Sequence, residues 1–185
     1  MGSWRNRCAL GFVALVVAGC SSGDDDGTTT EEPQPQLVPS AQTQAAYEAF
    51  LDAGDYTKNG WISDVAAPRE ESTAVSPHDK VRVWFSPKLQ ESFAAGNGVS
   101  ASAPAHFIDS MAVKELYDVN DTLVGRASFW KVEDGTAPTT WIYFCRGPAG
   151  RCYSNSPALD TTPLYKKGEP QCGTCHGGFV FTTPP

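Results

Sequence analysis

The order of sequence patterns predicts an α+β domain, in which a helix precedes an antiparallel meander of strands. Apolar residues recur at helical spacing between Ser40 and Gly54, and apolar and polar residues then alternate in short segments up to Arg146. Beyond Arg146 neither pattern continues, and an irregular C-terminal segment contains Cys-Gly-Thr-Cys-His at 172–176. The three patterns therefore predict a helix, a sheet and a C-terminal segment with a cofactor motif.

Caps and turn residues set the limits of these elements. The first helix is predicted to begin after Ser40 as N-cap and to end before Gly54 as C′ residue. A short second helix is predicted over 88–95, and strands are predicted over 81–85, 107–118, 123–133 and 140–146. Turn sequences such as Asn120-Asp121 and Asp134-Gly135 follow the second and third strands.

The N-terminus indicates export. Arg5 and Arg7 precede an apolar run, Leu10–Val17, that is too short for a stable transmembrane helix. The sequence at 17–20 resembles a bacterial lipobox, which implies that residues 1–19 are removed and that Cys20 is lipidated. An ordinary secretory signal is the alternative, and it also leads out of the cytoplasm. The lipobox predicts an envelope protein anchored by lipid and facing the periplasm, and Ser at 21 favours the outer over the inner membrane.

The mature chain is predicted to be a tether followed by one domain. Residues 20–39 are acidic, contain three prolines and have few apolar residues, so they are predicted to form a disordered tether. Residues 40–185 are long enough for one domain with a hydrophobic core. The net charge is −7, and removal of the two signal arginines makes it more negative by two. A basic stripe is missing from the sequence, so nucleic acid is not an expected partner.

The sequence Cys172-Gly173-Thr174-Cys175-His176 is the C-x-x-C-H motif of covalent haem attachment. Cys172 and Cys175 are spaced to bond the two vinyl groups of one haem c, and His176 then ligates the iron. A zinc site would need a second close cysteine pair. A thioredoxin-like pair would lie near the start of a βαβ unit, and a plain disulfide would not need the histidine.

The remaining thiols are compatible with this interpretation. Cys8 lies in the signal and Cys20 is the predicted lipid site, which leaves Cys145 and Cys152 on either side of a turn-forming segment. In an oxidising compartment this pair is predicted to form a disulfide, with two buried thiols as the alternative.

The position of the motif separates the types of cytochrome. In the commonest small cytochromes the motif lies on the first helix and a methionine ligand follows, whereas few residues follow His176 here and none is methionine. A four-helix cytochrome would require further long amphipathic helices, which the middle of the chain lacks. A β-rich domain with a C-terminal haem motif remains.

From about Tyr56 to Thr182, the sequence resembles the cytochrome P-460 family, which includes the β-type cytochromes c-prime. The resemblance rests on Pro77-His78 before the strand Val81-Arg82-Val83-Trp84, on Val113–Asp118, on the aromatic strand around Trp141, and on Cys172–His176 followed by Phe179–Thr182. It departs from the family at Asp79, where glycine is usual, in the short connection after His176, and in the segment between Cys145 and Cys152.

The resemblance implies one haem c on one face of a twisted antiparallel sheet with flanking helices, with His176 as the proximal ligand. In cytochromes P-460 proper, a lysine is also bonded to the porphyrin. Lys114 is the candidate for this cross-link and Lys131 the second choice; the alternative for Lys114 is an ordinary exposed strand lysine.

The resemblance further implies an open haem face that binds or oxidises hydroxylamine or nitric oxide, and hence a haem-dependent oxidoreductase or gas-binding protein. The alternative is a six-coordinate electron carrier, for which His78, His106 or Met111 would be the sixth ligand. The family also implies a distal carboxylate, for which Glu115, Glu133 and Glu169 qualify only by residue type. A homodimer and an unidentified redox partner are the expected partners.

Overall fold

The fold is built on one antiparallel sheet of seven strands, seen in a computed structural model that describes residues 35–70, 80–100, 102–147, 163–176 and 185. The strands are β1 Ile62–Ser63, β2 Arg69–Glu70, β3 Lys80–Phe85, β4 Met111–Tyr117, β5 Leu123–Lys131, β6 Trp141–Arg146 and β7 Leu164–Lys167. Their order is β1-β3-β4-β5-β6-β7, and β2 pairs with β3 beside β1. The described helices are α1 Gln44–Asp52, α2 Pro87–Ala94 and α3 Pro170–His176. The predicted α+β class is confirmed.

One face of the sheet is covered by α1, and we call it the α1 face. Tyr47, Phe50 and Leu51 of the helix pack there into a single apolar cluster with side chains of β4, β5 and β6, such as Met111 and Trp130. Each of these five side chains is at most 4% exposed. At about 1.5–3 kcal/mol for each large side chain removed from water, this cluster supplies much of the stability of the domain.

The opposite face, which we call the α3 face, carries the alternate residues of the same strands. Its apolar residues form two separate clusters, one under α2 around Phe85 and Leu89 and one around Val81 and Leu116. Its strand residues are Val81, Val83 and Phe85 of β3, Ala112, Lys114 and Leu116 of β4, Ala127, Phe129 and Lys131 of β5, and Trp141, Tyr143 and Cys145 of β6.

The middle of the α3 face is incompletely covered. Lys114, Ala127 and Phe129 lie on the two central strands, yet each is only partly buried. By contrast, Val113 and Ser128, their neighbours on the α1 face, are at most 5% exposed. The centre of the α3 face is therefore less deeply buried than the centre of the α1 face.

Several predicted boundaries are confirmed and others are wrong. Gly54 has φ +67° directly after the C-cap of α1, as expected for a C′ glycine. The N-cap is Thr43 rather than Ser40, because the Thr43 hydroxyl accepts from the Ala46 backbone N–H. The strand predicted from Phe107 begins at Met111, because Asp109 has φ +66° and interrupts the extended backbone.

The segment after Arg146 is less irregular than the sequence suggests. Leu164–Lys167 forms β7 and pairs with β6, and α3 follows after Gly168. Residues 1–34, which include the predicted signal and most of the tether, lie outside the described residues. Within the described residues, no helix is long and apolar enough to span a membrane.

Candidate functional site

The C-x-x-C-H motif lies on α3, which follows β7 at the edge of the sheet. Pro170 occupies the start of the helix, where its missing N–H costs no hydrogen bond, and the Gly173 N–H donates to the Glu169 carbonyl. Gly173 packs against Pro138, since a Cβ at this position would lie 2.8 Å from the Pro138 Cβ. A glycine between the two cysteines therefore allows α3 to approach the segment before β6.

Cys172 and His176 are four residues apart and so lie on the same side of α3. Both side chains are partly buried. Burial and then the charge of nearby Cys172 raise the pKa of Tyr143 above its usual range, which places the thiol close to this residue of β6. The side chain of Cys175 lies outside the described residues.

The imidazole of His176 lies against the α3 face of the sheet. Its centroid is 5.1 Å from that of Phe129, with an angle of 45° between the ring planes. Phe129 in turn contacts Trp141 edge-on at 5.4 Å and Tyr143 at 6.5 Å. The helix motif and the aromatic side chains of β5 and β6 thus form one cluster.

Lys114 lies on the same face as this cluster. It is opposite Val83 on β3 and Ala127 on β5, between the two apolar clusters of the α3 face. Phe129 is two residues along β5 from Ala127, which makes it a diagonal neighbour of Lys114 on the same face. The sequence-predicted residues Lys114 and His176 are therefore both on the α3 face.

Lys131 has a different environment at the end of β5. It is fully buried, and its Nζ donates to the Gly135 carbonyl and the Thr140 hydroxyl. The same Nζ lies 5.2 Å from the centre of the Trp141 ring. Burial lowers the pKa of Lys131 to about 8, although Asp134 and Glu133 act in the opposite direction.

His106 is a buried neutral histidine. It is 2% exposed, its Nδ1 is 2.9 Å from the Ser92 hydroxyl, and its ring lies between Phe93 and Trp141. Burial, and then the charge of Lys131, lowers its pKa from 6.5 to about 4. A Cβ on Gly98 would lie 1.8 Å from Nε2, so the Gly98 backbone fills the space beside that nitrogen.

Met111, the methionine candidate for an axial ligand, is not brought to the site. Met111 is fully buried in the apolar cluster of the α1 face, on the opposite side of the sheet from Phe129. His78 lies outside the described residues.

Glu115 also lies on the α1 face, because it follows Lys114 directly in a strand. It is 4% exposed and accepts hydrogen bonds from Tyr56 Oη at 2.8 Å, Arg82 Nε at 2.7 Å, Trp84 Nε1 at 2.9 Å and Tyr117 Oη at 2.7 Å. Burial alone would raise the pKa of this carboxyl, but the four hydrogen bonds together hold it below its usual range. This is the environment of a structural carboxylate, and it does not reach the α3 face.

The remaining carboxylate candidates also have partners. Glu133 is exposed beyond β5 and pairs with Lys167. Glu169 is 8% exposed just before α3, and its Oε2 is 3.3 Å from Lys166 Nζ. Glu169 is the candidate nearest to the C-x-x-C-H motif in the chain, but it lies at the opposite end of α3 from His176.

Of the two cysteines of the predicted disulfide, only Cys145 lies within the described residues. Cys145 is disulfide-bonded and lies on the α3 face between Ala127 and Leu164. Its bonding partner lies outside the described residues, as does Cys152.

Sequence reasoning missed two aromatic residues at the motif, namely Phe129, which contacts His176, and Tyr143, which lies near Cys172. The alternation of side chains along a strand places Phe129 on the same face as Lys131, so the face on which Phe129 lies could be predicted from the sequence. The contact between Phe129 and His176 depends on how α3 docks, for which the sequence carries no signal.

Comparisons with protein-family models, with curated proteins and with solved structures find no match to this chain. The resemblance to the cytochrome P-460 family therefore remains a prediction from the motifs in the sequence.

Proposed function

We propose that the chain is an envelope-anchored monohaem c-type cytochrome of the cytochrome P-460 type, which binds or oxidises a small nitrogen ligand such as hydroxylamine or nitric oxide. The observation that carries the proposal is the position of His176. Its imidazole lies on the α3 face against Phe129, next to the partly exposed centre of the sheet, and Cys172 lies on the same side of the same helix.

The residues present fit a covalently bound haem. Cys172 and Cys175 would hold it by two thioether bonds, and His176 would be the proximal iron ligand. Phe129, Trp141 and Tyr143 form an aromatic surface beside His176. The haem would supply an iron centre able to bind and oxidise or reduce a small ligand.

The positions of two other candidate ligands favour an open haem face over the alternative, a six-coordinate electron carrier. Met111 is buried on the opposite face, and His106 has Gly98 packed against its Nε2. Met111 could reach the α3 face only if the core were repacked. His106 lies beside Trp141 on the α3 face, but the Gly98 backbone occupies the space next to its Nε2.

The surroundings of the two lysines favour Lys114 as the residue for a porphyrin cross-link. Lys114 lies on a central strand, partly exposed, diagonal to Phe129. Lys131 is fully buried and its ammonium already donates to two oxygens. A cross-link requires that the lysine side chain can reach the porphyrin, and Lys114 is the more exposed of the two.

The proposal includes the parts predicted from the sequence: removal of residues 1–19, lipid on Cys20, a periplasm-facing position, a Cys145–Cys152 disulfide and a homodimer with an unidentified redox partner. The disulfide agrees with Cys145 being disulfide-bonded.

The test is expression of the full chain with haem-maturation machinery. We expect one haem that stays attached in denaturing gels, and complete loss of this haem in the Cys172→Ser, Cys175→Ser double variant. The matched control is the Cys145→Ser, Cys152→Ser double variant, which removes the predicted disulfide but should keep covalent haem. Haem retained by the Cys172→Ser, Cys175→Ser variant would contradict the attachment site.

Optical spectra of the same preparation distinguish the two functions. The ferrous protein should be high-spin and should bind nitric oxide or carbon monoxide. A lysine cross-link should shift the ferrous absorption band to the red, and this red shift should be lost in Lys114→Met but kept in Lys131→Met. A low-spin spectrum that does not respond to nitric oxide would favour the electron carrier. Turnover with hydroxylamine and an electron acceptor then tests the enzymatic activity.

A further inference from the structure

We infer that Phe129 is a positioning residue for His176: it lies on the proximal side of the haem and fixes the orientation of the imidazole that binds the iron. The inference rests on the proposed function and adds a role for a residue that the C-x-x-C-H motif does not contain. Its starting point is the ring contact between Phe129 and His176 at 5.1 Å.

This distance leaves no room for a porphyrin between the two rings. A metal–imidazole nitrogen bond is about 2.1 Å long, and an aromatic ring beyond the metal plane needs about 3.5–4 Å more. Together these already exceed 5.1 Å, before the radius of the imidazole ring is added. Phe129 therefore packs on the imidazole itself, on the side of the haem where His176 lies.

The Phe129 ring is held firmly enough to orient its neighbour. Its contact with Trp141 is edge-on, with an angle of 77° between the ring planes. Trp141 is 1% exposed, with His106 and the Lys131 ammonium packed around it. A phenyl ring supported by buried side chains restricts rotation of an imidazole packed on it at 45°.

The orientation of the imidazole matters because it would set the overlap between the nitrogen lone pair and the iron orbitals, and with it the strength of the iron–nitrogen bond. Groups that contact a ligating histidine fix its orientation and so tune the metal. With haem bound, this bond would influence how firmly the iron holds a small ligand. Loss of the Phe129 ring should therefore change iron–imidazole spectroscopy while the covalent attachment through Cys172 and Cys175 persists.

The experiment uses the full chain loaded with haem and compares Phe129→Leu, Phe129→Ala and Phe129→Tyr with wild type. Phe93→Leu is the matched control, since Phe93 is partly buried on the same face but contacts Phe85 and His106. Haem content is measured first, followed by the iron–imidazole stretching band of the ferrous protein and the rate of carbon monoxide dissociation.

We expect Phe129→Leu and Phe129→Ala to shift and broaden the iron–imidazole band and to change carbon monoxide dissociation several-fold. Phe129→Tyr keeps an aromatic ring at this position and should show the wild-type iron–imidazole band, as should Phe93→Leu. An unchanged iron–imidazole band in haem-loaded Phe129→Leu overturns this inference but leaves the proposed function standing. An equal shift of the band in Phe93→Leu has the same consequence. Loss of haem attachment in both Phe129→Leu and Phe129→Tyr also overturns the inference, because Phe129 would then act in attachment. Wild-type protein without covalent haem overturns the proposed function as well.

Discussion

His106 should make the domain less stable in mild acid. Its ring is 2% exposed, and the Ser92 hydroxyl that contacts Nδ1 also accepts from the Phe107 backbone N–H at 3.2 Å. The Ser92 hydroxyl hydrogen can then be donated to an unprotonated Nδ1. Protonation of the ring would replace this hydrogen bond and place a second cation near Lys131, which already lowers the pKa of His106.

The size of the effect follows from the pKa of His106 in the two states. It is 6.5 in the unfolded chain and, because of burial first and Lys131 second, about 4 in the folded domain. At about 1.4 kcal/mol for each pKa unit, the difference amounts to about 3 kcal/mol. Below about pH 6.5 the unfolded state binds a proton that the folded state does not, so the free energy of unfolding falls until about pH 4 and then levels off.

The assay is urea unfolding of wild type and His106→Gln between about pH 7 and about pH 4. The substitution has its own cost, which does not depend on pH, so only the change in the difference between the two proteins is relevant. This difference should move by about 3 kcal/mol in favour of the variant over that range. A difference that stays constant with pH would show that His106 titrates normally and that its burial does not oppose protonation.

Two further predictions concern stability. Glu115→Ala should cost about 3–5 kcal/mol in urea unfolding, because it leaves buried donors and the partly buried Arg82 without their acceptor. Glu91→Ala, which breaks an exposed pair with Lys88, should cost less than about 1 kcal/mol, and equal losses would refute a structural role for the buried carboxylate. Gly98→Ala should lower the melting temperature more than Gly96→Ala: both glycines have positive φ, but only at Gly98 would the added Cβ collide with His106. Similar melting temperatures for the two variants would show that His106 can move out of the way.

The longer elements were predictable because their patterns are local. The strand at 81–85 alternates clearly, and Ser86-Pro87 ends it and caps α2, with the Ser86 hydroxyl accepting from the Leu89 N–H. The two-residue strands β1 and β2 were missed because so short a segment has no periodicity. β7 was missed because its partner, β6, is distant in sequence and its own four residues include two lysines.

The candidate site was predictable only in part. The C-x-x-C-H spacing of Cys172–His176 is legible in the sequence, whereas Lys114 is a candidate only through the resemblance. That Lys114 and Glu115 must face opposite sides of the sheet follows from their adjacency in a strand, and it removes Glu115 as a candidate on the α3 face. The burial of Lys131 and the packing of Phe129 on His176 depend on contacts between distant segments, and no local pattern encodes them.

The hydrogen bonds of Glu115 have a consequence for the other side of the sheet. A slip of one residue in the pairing of β4 would exchange its two faces and turn Lys114 towards α1. The same slip would remove the Glu115 carboxylate from Arg82 and Tyr56, leaving charged and polar groups buried without partners. The buried Glu115 carboxylate therefore fixes the pairing register of β4. In doing so it keeps Lys114 on the α3 face, although Glu115 itself lies on the α1 face.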